Sequence, residues 1–164
     1  MAREIYRNII ELVLEAAELA RSIGISNLLQ PGLVKEMIIA DILGHELIHS
    51  KRDADAHAPG NPNEKYEYLS CKEGGSGQLD RMFKEPAKKR TESLKRITRN
   101  AKVFFAVFYE ANQTKCKVIY EIAPTAVVAE TERQLDRSRN AISHVRFSED
   151  WARANGRVVY QDKT

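Results

Sequence analysis

The stretch Val103-Phe104-Phe105-Ala106-Val107-Phe108-Tyr109 is apolar throughout, and it narrows the choice of fold more than any other segment. It is far shorter than the ~20 residues a helix needs to cross a bilayer. A strand with no polar alternation has to be covered on both faces. After the turn residues Asn112-Gln113-Thr114, Cys116 to Ile122 reads as its neighbour. Helices are available to cover such a sheet. Ile5, Ile9, Leu12, Val13, Ala16 and Ala20 recur at spacings of three and four, which predicts a first helix stopped near Gly24. Pro31-Gly32 opens a second, a basic helix runs from about Pro86 to Asn100, and Pro124 suits the first turn of another. Ile142 to Phe147 reads as a strand, Ser148 as the N-cap before Trp151, and Val158 to Tyr160 closes the chain. The order predicts an α/β (α+β) architecture, a central mixed β-sheet flanked by helices. At 164 residues one domain spanning residues 1–164 is expected, with residues 1–30 as an N-terminal helical element.

Charge is segregated along the chain. Residues 81–102 carry Arg81, Lys84, Lys88, Lys89, Arg90, Lys95, Arg96, Arg99 and Lys102 against only Glu85 and Glu92, whereas the whole chain nets +3. A basic segment on a near-neutral chain fits a phosphate-rich partner, although basic side chains also cover ordinary helix exteriors. Arg137-Ser138-Arg139-Asn140 with His144 and Arg146 forms a second such candidate. Cys71 and Cys116 do not make a disulfide framework, and Cys71 reads as a small buried hydrophobe. The first helix carries Glu4, Glu11, Glu15 and Glu18, unlike a secretory signal. A cytoplasmic protein with no membrane partner is the expectation.

Chemistry concentrates between the second helix and the apolar strand. Asp53 and Asp55 alternate with Ala54 and Ala56 as a short strand, Pro59-Gly60-Asn61-Pro62-Asn63 is a dense turn signal, and Lys65 to Lys72 returns. Asp55 and Glu67, backed by Glu36 on the second helix, then meet on one side of a sheet. Their repulsion is costly unless a cation lies between them. Oxygen ligands without thiolate or imidazole suit Mg²⁺.

Asp55-Ala56, followed after a turn by Tyr66-Glu67-Tyr68, resembles the active-site hairpin of the PD-(D/E)XK nucleases, and in particular small type II restriction endonucleases of the PvuII kind. Glu36 on the preceding helix, the glycine-rich Gly74 to Gly77 segment and Ile119-Tyr120-Glu121-Ile122 extend the similarity over residues 32–124. The resemblance implies a restriction-endonuclease-like fold and a homodimer that cuts double-stranded DNA at a short site, leaving 5′-phosphate ends. It implies that Asp55 and Glu67 hold Mg²⁺, with Glu36 assisting through water. It also implies that the loop Gly74 to Arg81, with Gln78, Asp80 and Arg81, contacts DNA, and Lys84, Lys88 and Lys89 join these as candidates for DNA contact. The family's lysine normally stands two residues after the glutamate, where this chain has Leu69. Lys72 is the preferred replacement, provided that a bulge at Ser70-Cys71 turns it back to the Glu67 face. Lys65 and Lys35 are the alternatives.

His45-Glu46-Leu47-Ile48-His49 matches H-E-x-x-H, a pattern that resembles the zincin metallopeptidases when both histidines share a helix face. It gives an alternative reading as a zinc peptidase. The other reading is that the histidines flank a helix terminus. A third alternative is a DNA-binding protein of nuclease fold that does not cut.

Overall fold

The computed structural model describes residues 1–50 and 52–164. Two compact units divide the chain, Met1–Val34 and Lys35–Thr164, where a single domain is expected from length. In the first unit, helix α1 (Ala2–Ser22) buries only Ala20. It ends as predicted: Gly24 takes a positive φ of 86°, Ile25 N–H donates to Ala20 O at 2.9 Å and Gly24 N–H to Arg21 O at 3.1 Å. These are the two bonds of a Schellman cap.

The second unit is built on a six-stranded mixed sheet. In chain order its elements are α2 (Leu33–Leu43, begun just before the division), β1 (Glu46–Leu47), β2 (Ala56–Ala58), β3 (Asn61–Lys72), β4 (Ser76–Phe83), α3 (Ala87–Thr98), β5 (Lys102–Phe108), β6 (Cys116–Ile122), α4 (Pro124–Arg137), β7 (Ile142–Ser148), α5 (Glu149–Asn155) and β8 (Gly156–Gln161). The sheet order is β1-β2-β3-β5-β6-β8. Only β3 and β5 are parallel, and α3 lies in the crossover between them, as parallel pairing requires.

The apolar run forms β5, whose residues 103–108 are all buried. On one face Phe105, Val107, Leu69 and Tyr120 pack with Ile97 of α3, Val127 and Leu135 of α4, and Leu79, Val145 and Phe147 of a separate β4–β7 ribbon. On the other, Phe104, Ala106, Tyr66 and Tyr68 pack with Ile39 and Ala40 of α2. The predicted N-cap is present: Trp151 N–H donates to Ser148 Oγ at 3.1 Å.

Two segments differ from expectation. The reversal between β2 and β3 is complete at Pro59-Gly60, since Ala58 already pairs with Asn61 and Gly60 has φ 68°. Proline followed by left-handed glycine turns the chain at once, and Asn61 to Asn63 join the strand. The stretch expected as a DNA-contacting loop, Gly74 to Arg81, is mostly strand β4. Its Gly77, Leu79 and Met82 are buried. A Cβ on Gly77 would lie 3.0 Å from Leu69 Cβ and 3.1 Å from Phe105 Cε2. That glycine lets the ribbon cross directly over the main sheet, rather than supplying loop flexibility.

Candidate functional site

Two main-chain bonds set Asp55 against β3. Its N–H donates to Tyr66 O at 3.1 Å, and Tyr68 N–H donates to its Oδ2 at 2.7 Å. Because Ala56 pairs with Tyr66, the antiparallel register places Asp55 across from Glu67. The sequence-predicted pair is therefore brought together. Glu67 shares its face with Leu69 and Cys71, and its Oε2 is buried without a hydrogen-bond partner.

Their electrostatics express this confinement. Burial, then the charge of Asp55, raise Glu67 from 4.5 to about 8, against the opposing fields of Arg99 and Arg96. Burial also raises Asp55 to about 6, although the Tyr68 amide and Arg99 stabilise its charged form. Glu36, on α2, is raised to about 7 by burial and then by Asp55. All three carboxylates are thus close enough to feel one another. Among the described residues, no group of three His, Cys, Asp or Glu side chains is placed to hold a metal ion. An orphaned carboxylate oxygen beside a second, half-buried carboxylate fits a hard cation, and Mg²⁺ commonly takes one or two carboxylates and fills its other positions with water and phosphate oxygens.

The lysines do not reach this pair. The β3–β5 register runs without a shift from Tyr66↔Lys102 to Lys72↔Phe108, so the bulge that Lys72 required is absent. Lys72 stays on the opposite face, exposed, with Nζ 3.2 Å from Glu110 Oε1. Lys65 is paired with Asp53 at 2.6 Å, and Lys35 Nζ lies 5.1 Å from the centroid of the Phe108 ring. Leu69 itself is 2% exposed. The cations that do act on the pair, Arg99 and Arg96, come from the C-terminal end of α3. In the sequence they were indistinguishable from the rest of the basic run.

The candidate DNA residues separate into groups. Gln78 and Asp80 are on the outer face of β4, where Gln78 pairs with Arg146 of β7 and Asp80 Oδ1 lies 2.8 Å from His144 Nδ1. The two basic candidates of β7 thus join the first set on one ribbon face. Arg81 follows at the ribbon's irregularity with φ 53°. Lys84 is turned to a structural task, donating to Ser138 O at 2.8 Å near the C-terminal end of α4. Lys88 and Lys89 are exposed on α3, with Lys89 Nζ 4.8 Å from the Phe83 ring centroid.

The H-E-x-x-H segment is not helical. α2 ends at Leu43, Gly44 has φ 70°, and His45 N–H donates to Ala40 O at 2.9 Å, a second Schellman cap. Glu46 and Leu47 form β1. His45 Nδ1 and the Tyr68 hydroxyl share a 2.7 Å hydrogen bond, the ring centroid lies 4.2 Å from that of Tyr66 with the planes tilted by 32°, and burial followed by Lys102 lowers its pKa. His49 is exposed. The one-face helical geometry of a zincin site is therefore not formed.

No helix among the described residues is long and apolar enough to cross a membrane. No protein-family model matches the chain, and no curated protein matches it.

Proposed function

We propose that this chain is a type II site-specific deoxyribonuclease, a Mg²⁺-dependent endonuclease that hydrolyses phosphodiester bonds in double-stranded DNA as a homodimer in the cytoplasm. One observation carries the reading: the buried Oε2 of Glu67 has no hydrogen-bond partner although a second, half-buried carboxylate, Asp55, lies across the hairpin from it. A fold tolerates such a pair at some cost, and a bound cation removes that cost. Asp55 and Glu67 would hold Mg²⁺, which when bound polarises a phosphodiester oxygen and makes water a stronger acid. The Tyr68 amide keeps Asp55 oriented, and Glu36 adds negative charge to the site. Outside it, Gln78 and Arg146 suit adenine and guanine edges respectively, while Lys88 and Lys89 suit phosphates.

Plasmid digestion with Mg²⁺, followed by mapping of the ends, tests this proposal. Cleavage at discrete sites is expected, and it should fall at least ~10³-fold in Asp55→Asn and in Glu67→Gln. Intact plasmid, or cleavage indifferent to both substitutions, overturns it. A second reading is favoured by the burial of Leu69 where the resembled family has lysine: a protein of nuclease fold that binds duplex DNA without cutting. Salt-sensitive retention of DNA with no cleavage under any divalent metal would support that one instead.

A further inference from the structure

A phosphodiester undergoing hydrolysis gains negative charge on the oxygens around phosphorus, and two carboxylates beside it make the local field worse. Such a site needs a fixed cation besides any metal. The lysines at hand are committed elsewhere: Lys65 to Asp53, Lys72 to Glu110, and Lys35 to the face of Phe108. Arg96 is also spoken for, since its Nη1 donates to Asp80 O at 2.9 Å and lies 3.4 Å from both Arg81 O and Met82 Sδ.

Arg99 differs from all of these. It caps the C-terminal end of α3, its own N–H donating to Lys95 O at 3.0 Å. The next residue, Asn100, is 5% exposed and donates its side-chain amide to Arg96 O at 2.9 Å and Ile97 O at 3.1 Å. Ala101 N–H then donates to Lys65 O at 2.8 Å, which seats the junction beside β3 two residues from Glu67. From there the Arg99 side chain reaches back, Nη1 donating to Arg52 O at 3.0 Å, three residues before Asp55. The guanidinium therefore ties the loop that carries Asp55 to the end of α3, which the Ala101 bond in turn seats beside the strand that carries Glu67. It is exposed, and no carboxylate among the described residues lies within ion-pair distance of it, so its remaining donors are open to an anion. Its field lowers Asp53, Asp55 and Glu67 alike.

We propose that Arg99 is the catalytic cation of this site, binding the scissile phosphate beside the Asp55–Glu67 pair and filling the charge-stabilising part left vacant by Leu69. The inference rests on the nuclease reading. In the step concerned, a water oxygen forms a bond to phosphorus as the P–O3′ bond breaks. The water gives up one proton to solvent, and the departing 3′ oxygen takes one up. Arg99 transfers no proton; a guanidinium stays charged and forms two parallel hydrogen bonds to phosphate oxygens.

The test compares single-turnover plasmid cleavage with Mg²⁺ in the wild type, Arg99→Ala, Arg99→Gln, Arg99→Lys, Lys72→Ala and Asp55→Asn. Duplex affinity is measured separately by fluorescence anisotropy without divalent metal. Arg99→Ala should slow cleavage by ~10²-fold or more while changing duplex affinity by no more than about three-fold, because it removes one phosphate contact among several. Arg99→Gln, which is two bonds shorter and uncharged, gives up the Arg52 O contact as alanine does, so it should melt with Arg99→Ala and cleave as slowly. Arg99→Lys should recover part of the rate, and Lys72→Ala should cut as the wild type does. Wild-type cleavage in Arg99→Gln, with Asp55→Asn inactive, overturns this assignment and leaves the nuclease reading standing. A wild-type chain that leaves plasmid intact with Mg²⁺ overturns both.

Discussion

Replacing Glu67 by glutamine should make the protein more stable, but only where the pH is high enough to charge the native side chain. Glu67 is raised from 4.5 to about 8, first by burial and then by Asp55. Below pH 4.5 the carboxyl is protonated folded and unfolded alike, and its burial carries no ionic cost. Between 4.5 and about 8 the unfolded chain releases a proton that the folded chain keeps, so stability falls as pH rises. Above about 8 the folded chain bears the whole cost. Each pKa unit between the two states is worth ~1.4 kcal/mol, so that cost is roughly 4–5 kcal/mol. A protonated glutamate buries a neutral polar group just as glutamine does, so that cost is common to both. The net gain at pH 8.5 is then about 4–5 kcal/mol, or a Tm higher by about 8–20 °C for a chain of this size. At pH 5 the two proteins should melt within about 2 °C of each other. Differential scanning calorimetry at both pH values, without divalent metal, is the assay. Mg²⁺ added at pH 8.5 should then narrow the gap by stabilising the wild type alone. A Tm difference of the same size at pH 5 and 8.5, or a less stable variant at pH 8.5, would refute the reasoning.

Two further outcomes follow from other parts of the molecule. α1 exposes Ile5 at 52%, Ile9 at 51% and Leu12 at 65%, and it carries Arg3, Glu4 and Arg7 toward one end and Glu11, Glu15, Glu18 and Arg21 toward the other, a net positive end and a net negative end that complement an antiparallel second copy. Sedimentation velocity should give twice the 18.6 kDa chain mass for the wild type and the single mass for Ile9→Glu/Leu12→Glu; a monomeric wild type at high micromolar concentration counts against α1 pairing. Separately, a Cβ on Gly156 would lie 2.7 Å from Glu121 O, 2.8 Å from Ile122 Cγ1 and 3.0 Å from Ala152 O. Gly156→Ala should therefore cost about 2 kcal/mol or more in chemical denaturation, and an unchanged midpoint would show that β8 is free to shift.

Legibility of the sequence depended on how local each determinant was. The buried strand β5, its neighbour β6, the proline-started helix α4 and the Ser148 cap all depend on residues within one turn or one strand, and each appears where its residues predict. The Asp55–Glu67 pairing follows less directly, because the Pro59-Gly60 turn pairs Ala58 with Asn61, a register that would set Asp55 against Glu64, and the irregularity between His57 and Ala58 is what brings Glu67 across. The fate of Gly74 to Arg81 was not legible. Its glycines read as flexibility, whereas Gly77 is required by the close passage of β4 over Leu69 and Phe105, a contact between distant segments. Gly44 was the overlooked local signal: a glycine directly before His45 ends α2 and removes the helical frame on which the two histidines would have shared a face. Arg99 belongs to a third kind. Nothing in nine basic residues between 81 and 102 says which of them turns toward the loop of Asp55, and that is decided by where α3 stops and the parallel strand begins.

The packing around Leu69 bears on how such a chain could change over time. Because its Cβ is so close to the ribbon's glycine backbone, a long ammonium side chain introduced at that position has no exit to solvent and would have to lift β4 off the sheet. The residue at 69 and the seat of the ribbon are therefore fixed together, and Leu69→Lys would require a differently seated ribbon. Since that ribbon presents Gln78 and Arg146 outward, a substitution beside the carboxylate pair and a change of the exposed ribbon face become one coupled problem rather than two separate ones.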